Sequence, residues 1–379
     1  TVLTSYINNG SVPDPNFADN QKQISESYFL SDFWYRKEFE IGKLTPESFI
    51  EFDGINWNAE VYLNGQYVGK IEGAFTRAKF NVTGLLRLGR NALAVKIIKN
   101  NHPGVVKEHD AIIAGINGGA LGYDNPTFHA SVGWDWMPTI RGRNIGIWND
   151  VRITQKGHVS IENPFFRSTL ALPDTTSADL HFEPTLKNHA PVAIKGLLKG
   201  RFGDIAFEQA VEMAANGQAE VALDPSQVAA FHVANPRLWW PKGYGRPELY
   251  DVHLEFVVNN EISDCKDFKT GIRQIDWDEN DYEPKADAPR PKFGEPLTKR
   301  LSLYINGRRF IGFGGNWGFS ESNLNYRGED YDKAVAYHAD MNFTMIRNWV
   351  GQTGDEEFYE ACDRHGIMIW QDFWLANPS

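Results

Sequence analysis

Cysteine is scarce: Cys265 and Cys362 are the 2 cysteines among 379 residues, and they lie far apart. That leaves no disulfide framework and none of the paired spacings of a structural zinc site. Basic runs are missing as well. The 38 Lys and Arg are outnumbered by 49 Asp and Glu, giving a formal net charge of −11, which argues against nucleic acid or an anionic membrane as the main partner. No apolar stretch approaches the ~20 residues a bilayer-spanning helix needs. Helical periodicity is rare before Leu301. What the chain has in quantity is aromatic residues: 12 Trp, 14 Tyr and 24 Phe, 13% of the sequence. Ring faces pack against the C–H faces of sugars, a common trait of carbohydrate-active proteins, but they also fill large β-sandwich cores.

From Phe33 to Ile153 the sequence alternates as short strands: "FWYRKEFEI" (33–41), "ESFIEFDGI" (47–55), "AEVYLNG" (59–65), "QYVGKIEG" (66–73), "AKFNVTG" (78–84), "NALAVKII" (91–98) and "WNDVRIT" (148–154). Asn64-Gly65 tolerate the positive φ of a type I′ turn, so "VYLNGQYVG" predicts a hairpin. The pattern predicts a β-sandwich, interrupted from Asn100 to Asn144 by a long Gly-rich loop of the kind that carries function. A second β pattern, from His158 to Ile275, has the length of an immunoglobulin-like sandwich. Its strands are "ADLHFEPTLKN" (178–188), "VAIKGLLKGRF" (192–202), "AEVALD" (219–224), "ELYDVHLEFVVN" (248–259) and "DFKTGIRQI" (267–275). Residues 277–300, charged and Pro-rich, read as a linker. After Leu301 strand and helix patterns alternate, with "GDEEFYEACDRHG" a helix closed by Gly366. This is the opening of a parallel α/β unit. The expected domains are 1–156, 157–276, the linker 277–300, and 301–379. The last stretch is far short of the ~250 residues of a complete (β/α)₈ barrel, so the chain is expected to be incomplete as written.

Four stretches in order resemble the family 2 glycoside hydrolases: "FDGINWNAEVYLNGQYVGKIEGAFTRAKFNVTGLLRLGRNALAVKI", "VGWDWMPTIRGRNIGIWNDVRI", "RLWWPKGYGRPELYDVHLEF" with "GIRQI", and "YINGRRFIGFGGNW". The variants "GWDW", "HADMNFTMIRNW" and "FYEACDRHGIMIWQDFW" are nearest the β-mannosidase, mannosylglycoprotein endo-β-mannosidase and exo-β-glucosaminidase branch. The resemblance implies a jelly roll lacking its first segment, an immunoglobulin-like sandwich, and the first three β/α units of a TIM barrel. It implies hydrolysis of β-mannosides or related β-glycosides, with β-galactosidase specificity more remote. A periplasmic or secreted location is implied too. Its partner is an oligosaccharide or glycoside substrate, with no nucleic acid, membrane or cofactor.

Retaining glycosidases use two carboxyl groups ~5–5.5 Å apart. In the resembled family both are Glu on later barrel strands, so both are expected beyond Ser379 and no catalytic residue is assigned here. The resemblance makes Arg347 the group that orients the nucleophile through charge-assisted hydrogen bonds, followed by Asn348 and Trp349. The continuation "NWVGQTGDE" departs from the Trp-Gly-Gly-Gly of β-mannosidases, which puts the sugar specificity in question. Asp135, beside Trp134 in "GWDW", is implied to reach from the jelly roll to sugar hydroxyls. An Asp between two Trp also suits a turn cap with both rings in the core. Trp317, Asp372 and Trp374 are strand-end candidates, though strand-end aromatics also plug barrel tops.

Other motifs carry less. "GFGGNWG" has Trp317 where a dinucleotide loop has its third glycine. "DWDENDYE" has Asp281 at the turn-glycine position of a calcium loop. His102, Glu108, His109 and Asp110 match no metal spacing, so no metal is expected. Two rivals remain: a non-catalytic carbohydrate-binding sandwich protein, for which a Trp exposed on a sandwich face would speak, and a split enzyme whose barrel a second polypeptide completes.

Overall fold

The computed structural model describes residues 1–102, 105–107, 118–120, 139–281, 299–318, 329–349 and 354–373. A short helix, α1 (Val2–Asn8), opens the chain, with the Thr1 hydroxyl accepting from the Thr4 amide at 3.2 Å. Its buried Val2 and Leu3 pack on Phe29, Ile140 and Ile145.

Seven strands then build the first sandwich: β1 (Phe33–Ile41), β2 (Glu47–Phe52), β3 (Asn58–Leu63), β4 (Gln66–Glu72), β5 (Ala78–Asn81), β6 (Gly89–Ile97) and β7 (Val151–Lys156). One sheet runs β1-β6-β3-β4 and the other β7-β2-β5, all antiparallel. Period-2 alternation sets the faces. In β3 the Ala59, Val61 and Leu63 side chains are fully buried, while Asn58, Glu60 and Tyr62 face outward. With Ile50, Phe52, Ile55, Val95 and Ile97 they form a mainly aliphatic core, each large side chain contributing about 1.5–3 kcal/mol on burial. The β3–β4 turn has the expected positive φ at Asn64 (52°) and Gly65 (82°). Asn64 also ties the turn down, donating to Leu85 O at 2.9 Å and accepting from the Ala92 amide at 2.9 Å.

The second sandwich has ten strands: β8 (Val159–Glu162), β9 (Phe166–Leu170), β10 (Ser177–Phe182), β11 (Thr185–Asn188), β12 (Ile194–Phe202), β13 (Ile205–Met213), β14 (Gln218–Glu220), β15 (His232–Ala234), β16 (Tyr250–Val258) and β17 (Glu261–Thr270). The sheet β13-β12-β16-β17 covers the smaller sheets β9-β10-β15 and β8-β11-β14. Its core is aromatic: Phe166 stacks on Phe182 at 4.3 Å, and Phe202, Phe207 and Phe231 surround them. The strand pattern left β13 unmarked. It forms by folding back on β12 through Gly203, which holds φ 56°.

The stretch read as a linker is bounded by paired strands. β18 (Ile275–Asp281) lies antiparallel to β19 (Lys299–Ile305), which turns through Asn306-Gly307 into β20 (Arg308–Phe310). Three parallel strands follow in the order β21 (Gly314–Trp317), β22 (Met345–Asn348) and β23 (Met368–Gln371). Helices α2 (Glu329–Asp340) and α3 (Glu356–His365) join them. Gly366 ends α3 in the left-handed conformation (φ 71°), its amide donating to Cys362 O. This unit docks on the second sandwich through Trp239, which is 1% exposed. The Trp239 indole N–H donates to Asp363 O at 2.8 Å and its ring carries the Arg273 guanidinium at 4.4 Å. The chain is thus a β-rich, multidomain assembly of sandwiches with a smaller parallel unit.

Candidate functional site

The parallel register sets the site. Asn316, Arg347 and Trp370 lie side by side in one cross-strand row, and Trp317, Asn348 and Gln371 in the next. Alternation sends adjacent residues to opposite faces. Arg347 is exposed and Trp370 is 57% exposed, on the face away from the helices, whereas Asn348 is fully buried.

Arg347 and Asp372 meet at the C-terminal ends of β22 and β23. Arg347 Nη2 lies 2.7 Å from Asp372 Oδ2, and Nε donates to Oδ1 at 3.1 Å and Oδ2 at 3.0 Å. The Asp372 side chain is 13% exposed against 46% for Arg347, so the carboxylate is fixed and the guanidinium reaches solvent. Beneath them Asn348 Nδ2 donates to Gln371 Oε1 at 2.9 Å, which also accepts from Tyr359 Oη at 2.7 Å. Burial raises the Tyr359 pKa, which keeps that hydroxyl a donor. Trp349 follows, half-buried.

Trp317 corrects the strand-end expectation. It is 6% exposed, its ring lies 4.8 Å from Phe358, 5.6 Å from His338 and 6.2 Å from Tyr331, and it fills the core between sheet and helices. Asn316, not Trp317, shares the Arg347 face. Trp134, Asp135 and Trp374 lie outside the described residues. Arg347 and Asp372 are paired directly, with Asn348 beneath them bonded to Gln371; Trp317, beside Asn348 in its row, turns into the helix core.

Asp355 went unnoticed in the sequence. It is 8% exposed and precedes α3, but its carboxylate makes no cap hydrogen bond. Instead Oδ2 accepts from Tyr331 Oη at 2.7 Å and Oδ1 from Asn149 Nδ2 at 3.0 Å. Asn149 belongs to the first sandwich, and Arg77 of that sandwich reaches Glu356 at 3.3 Å. The first sandwich therefore meets the parallel unit at the start of α3. An acid just after Gly354 was the visible signal; its partner, distant in sequence, was not. The described cavities open elsewhere, one of about 560 Å³ between β16, β17 and α3.

Comparison with known proteins gives the family. Residues 1–149 match the glycosyl hydrolase 2 galactose-binding domain-like family and residues 159–273 the glycosyl hydrolases family 2. The chain is 32% identical to a mannosylglycoprotein endo-beta-mannosidase of Lilium longiflorum, aligning over 100% of this chain and 39% of the lily protein. It is 27% identical to an exo-beta-D-glucosaminidase of Streptomyces avermitilis, over 100% of this chain and 38% of that one. A beta-mannosidase B of Emericella nidulans is also 27% identical, over 97% and 42%. The chain thus spans about 40% of the length of these curated relatives. In fold it is similar to the Amycolatopsis orientalis exo-chitosanase (TM-score 0.76, 20% identity, 98% of this chain and 39% of that one). The beta-D-mannosidase of Dictyoglomus thermophilum is another match (TM-score 0.75, 23% identity, 97% and 43%). No second polypeptide finds support among these relatives. With two family 2 domains matched in succession, the chain belongs to glycosyl hydrolase family 2.

Proposed function

We propose that this chain is the N-terminal portion of a retaining β-glycoside hydrolase acting on β-mannosides or related β-glycosides. The observation that carries the reading is the bidentate Arg347–Asp372 pair at the ends of adjacent parallel strands, in a chain of this family. On this reading the unit from 301 to 379 is the first part of a (β/α)₈ barrel, whose sites lie at the C-terminal ends of the strands. The domains are divided as 1–156, 157–276, a linker 277–300 and 301–379.

The two reacting carboxyl groups come from outside residues 1–379. One is the nucleophile and the other protonates the leaving oxygen, then activates water. The residues here hold substrate and set charge. The Asp372 carboxylate accepts from sugar hydroxyls while Arg347 holds it in place, and the exposed side of the guanidinium steadies the nucleophile carboxylate. Trp370 offers a ring face beside them. Asn348, through Gln371 and Tyr359, holds the strand ends in place, and Trp349 borders the site. Asp135, Trp134 and Trp374 are proposed as further sugar-binding residues on the strength of the resemblance alone.

A panel of aryl β-glycosides, with the β-mannoside first, tests the proposal on the longest native polypeptide that carries these residues. Cleavage of the β-mannoside is expected, with Asp372→Asn and Arg347→Lys lowering kcat/KM by about 100-fold, as misplacement at a reacting centre does. No cleavage of any aryl β-glycoside would overturn it. A β-glucosaminide belongs in the panel. The Streptomyces avermitilis relative carries the exo-beta-D-glucosaminidase name, and "NWVGQTGDE" departs from the β-mannosidase pattern.

A further inference from the structure

The outer face of the sheet β1-β6-β3-β4 carries aromatic rings that the core does not use. Two cross-strand rows cross it. In one, Trp34 pairs with Lys96, Lys96 with Glu60, and Glu60 with Lys70. In the next, Arg36 pairs with Ala94, Ala94 with Tyr62, and Tyr62 with Tyr67. Ala94 is the small member of its row and leaves room for the rings on either side. The Trp34 and Tyr62 centroids lie 5.8 Å apart, and those of Tyr62 and Tyr67 5.6 Å. Trp34 is 59% and Tyr67 58% exposed. Single exposed rings are ordinary, but two exposed rings in contact with a half-buried third on one sheet face, tilted 40° and 65° to it, form a patch that marks a binding surface.

The surroundings decide what such a patch can bind. Its charges are matched locally: Lys96 Nζ lies 2.9 Å from Asp32 Oδ2, and Arg36 and Lys70 pair with Glu38 and Glu72. Tyr62 Oη donates to Glu60 Oε2 at 2.7 Å. These three cations and four carboxylates, Glu60 included, are held by neighbours on the face, so it has little free charge to offer a charged polymer. A neutral ligand with apolar C–H faces and many hydroxyls matches both the rings and the polar border. We propose that the outer face of this sheet is a carbohydrate-binding surface for a neutral β-linked oligosaccharide chain. Trp34, Tyr62 and Tyr67 form its stacking platform, and Glu60, Lys96 and Arg36 bond the hydroxyls. It is separate from the strand-end pair of Arg347 and Asp372. The choice of carbohydrate rests on family membership and not on the hydrolytic reading.

The test is native affinity electrophoresis of the whole chain in gels containing soluble glucomannan or galactomannan, followed by calorimetry with manno- and cello-oligosaccharides. The variants are Trp34→Ala with Tyr67→Ala, Trp34→Phe, and Tyr337→Ala, each checked for folding by near-ultraviolet circular dichroism. The chain should be retarded by at least one of the polysaccharides. The double variant should bind at least tenfold more weakly, Trp34→Phe should keep most of the binding, and Tyr337→Ala, which removes an exposed ring on α2, should bind as the parent does. Several results would overturn the proposal: no retardation by any polysaccharide, undiminished binding by the double variant, or equal loss of binding in Tyr337→Ala. Sedimentation velocity showing a dimer that Trp34→Ala dissociates would also overturn it, assigning the face to a second copy. Hydrolysis of aryl glycosides is scored separately, so a failed hydrolytic reading and a failed surface remain distinct results.

Discussion

The two sandwiches differ in which aromatic residues they show to solvent. The second turns phenylalanines inward, with Phe166, Phe182, Phe202, Phe207, Phe231 and Phe256 in one cluster. Its outward face on β16 and β17 is ionic: His253 lies between Asp267 and Glu255, and Lys269 pairs with Asp251. The first has a mainly aliphatic core, with Phe49 and Phe52 also buried, and turns Trp34 and Tyr67 out to solvent with Tyr62 half-buried between them. An aromatic content of 13% therefore carries no meaning until each ring has a side. Inward rings stabilise through burial and packing; outward rings contribute little stability and are available to a ligand.

The comparison breaks if an inward ring proves dispensable. Phe182 is fully buried and stacked on Phe166, so Phe182→Ala is expected to cost about 3–5 kcal/mol through lost transfer energy and the cavity left behind. Urea unfolding measures it, and a cost below about 1.5 kcal/mol would mean that this core collapses around the gap. A smaller effect comes from overfilling the same core. A Cβ on Gly200 would stand 2.0 Å from Phe207 Cζ, so Gly200→Ala is expected to cost about 1–3 kcal/mol. Adding Phe207→Leu should recover part of that, since it removes the atom the new methyl meets.

These contrasts were unevenly legible in the sequence. Turns and caps were, because their signals are local: Asn64-Gly65, Asn306-Gly307 and Gly366 all adopt the positive φ their positions call for. Strand β13, "IAFEQAVEM", was not. Ala, Glu and Gln have no strand preference, and pairing along the whole of β12 overrides propensity there. At the strand ends the residue types marked the positions, but parity did not follow from them. A one-residue shift decides whether Asn316 or Trp317 faces the helices, and the helix core claimed Trp317. The pairing of Arg347 with Asp372, and of Asn149 with Asp355, spans elements whose spatial order no local pattern encodes.

The outward ionic face of the second sandwich gives a pH-dependent effect. Hydrogen bonds to Asp267 and then Glu255 raise the His253 pKa above its ordinary value. A raised histidine favours the protonated folded form. Its stabilisation is full below the unfolded pKa of ~6.5 and is lost as pH climbs through the folded value. His253→Gln should therefore lower Tm at pH 5.5 and leave it unchanged at pH 9. The ring is well exposed, so screening keeps the effect small, and raised salt should shrink it further. A Tm difference that persists at pH 9 would assign the loss to packing.

The smallest expected effect is the one the contrast needs most. Trp34 contacts Tyr62 at 5.8 Å with the rings tilted 40°, and a cross-strand pair of this kind contributes roughly 0.2–1 kcal/mol. With the ring 59% exposed, little burial adds to that, and the side-chain freedom regained on truncation works against it. Trp34→Ala should thus cost less than about 1 kcal/mol in urea unfolding, a fraction of the cost at Phe182 on the same chain. A cost above about 2 kcal/mol would make Trp34 a structural ring that happens to be visible. A cost near zero leaves a large aromatic surface, held in register across three strands, that folding does not require, and binding is then the remaining physical use for it.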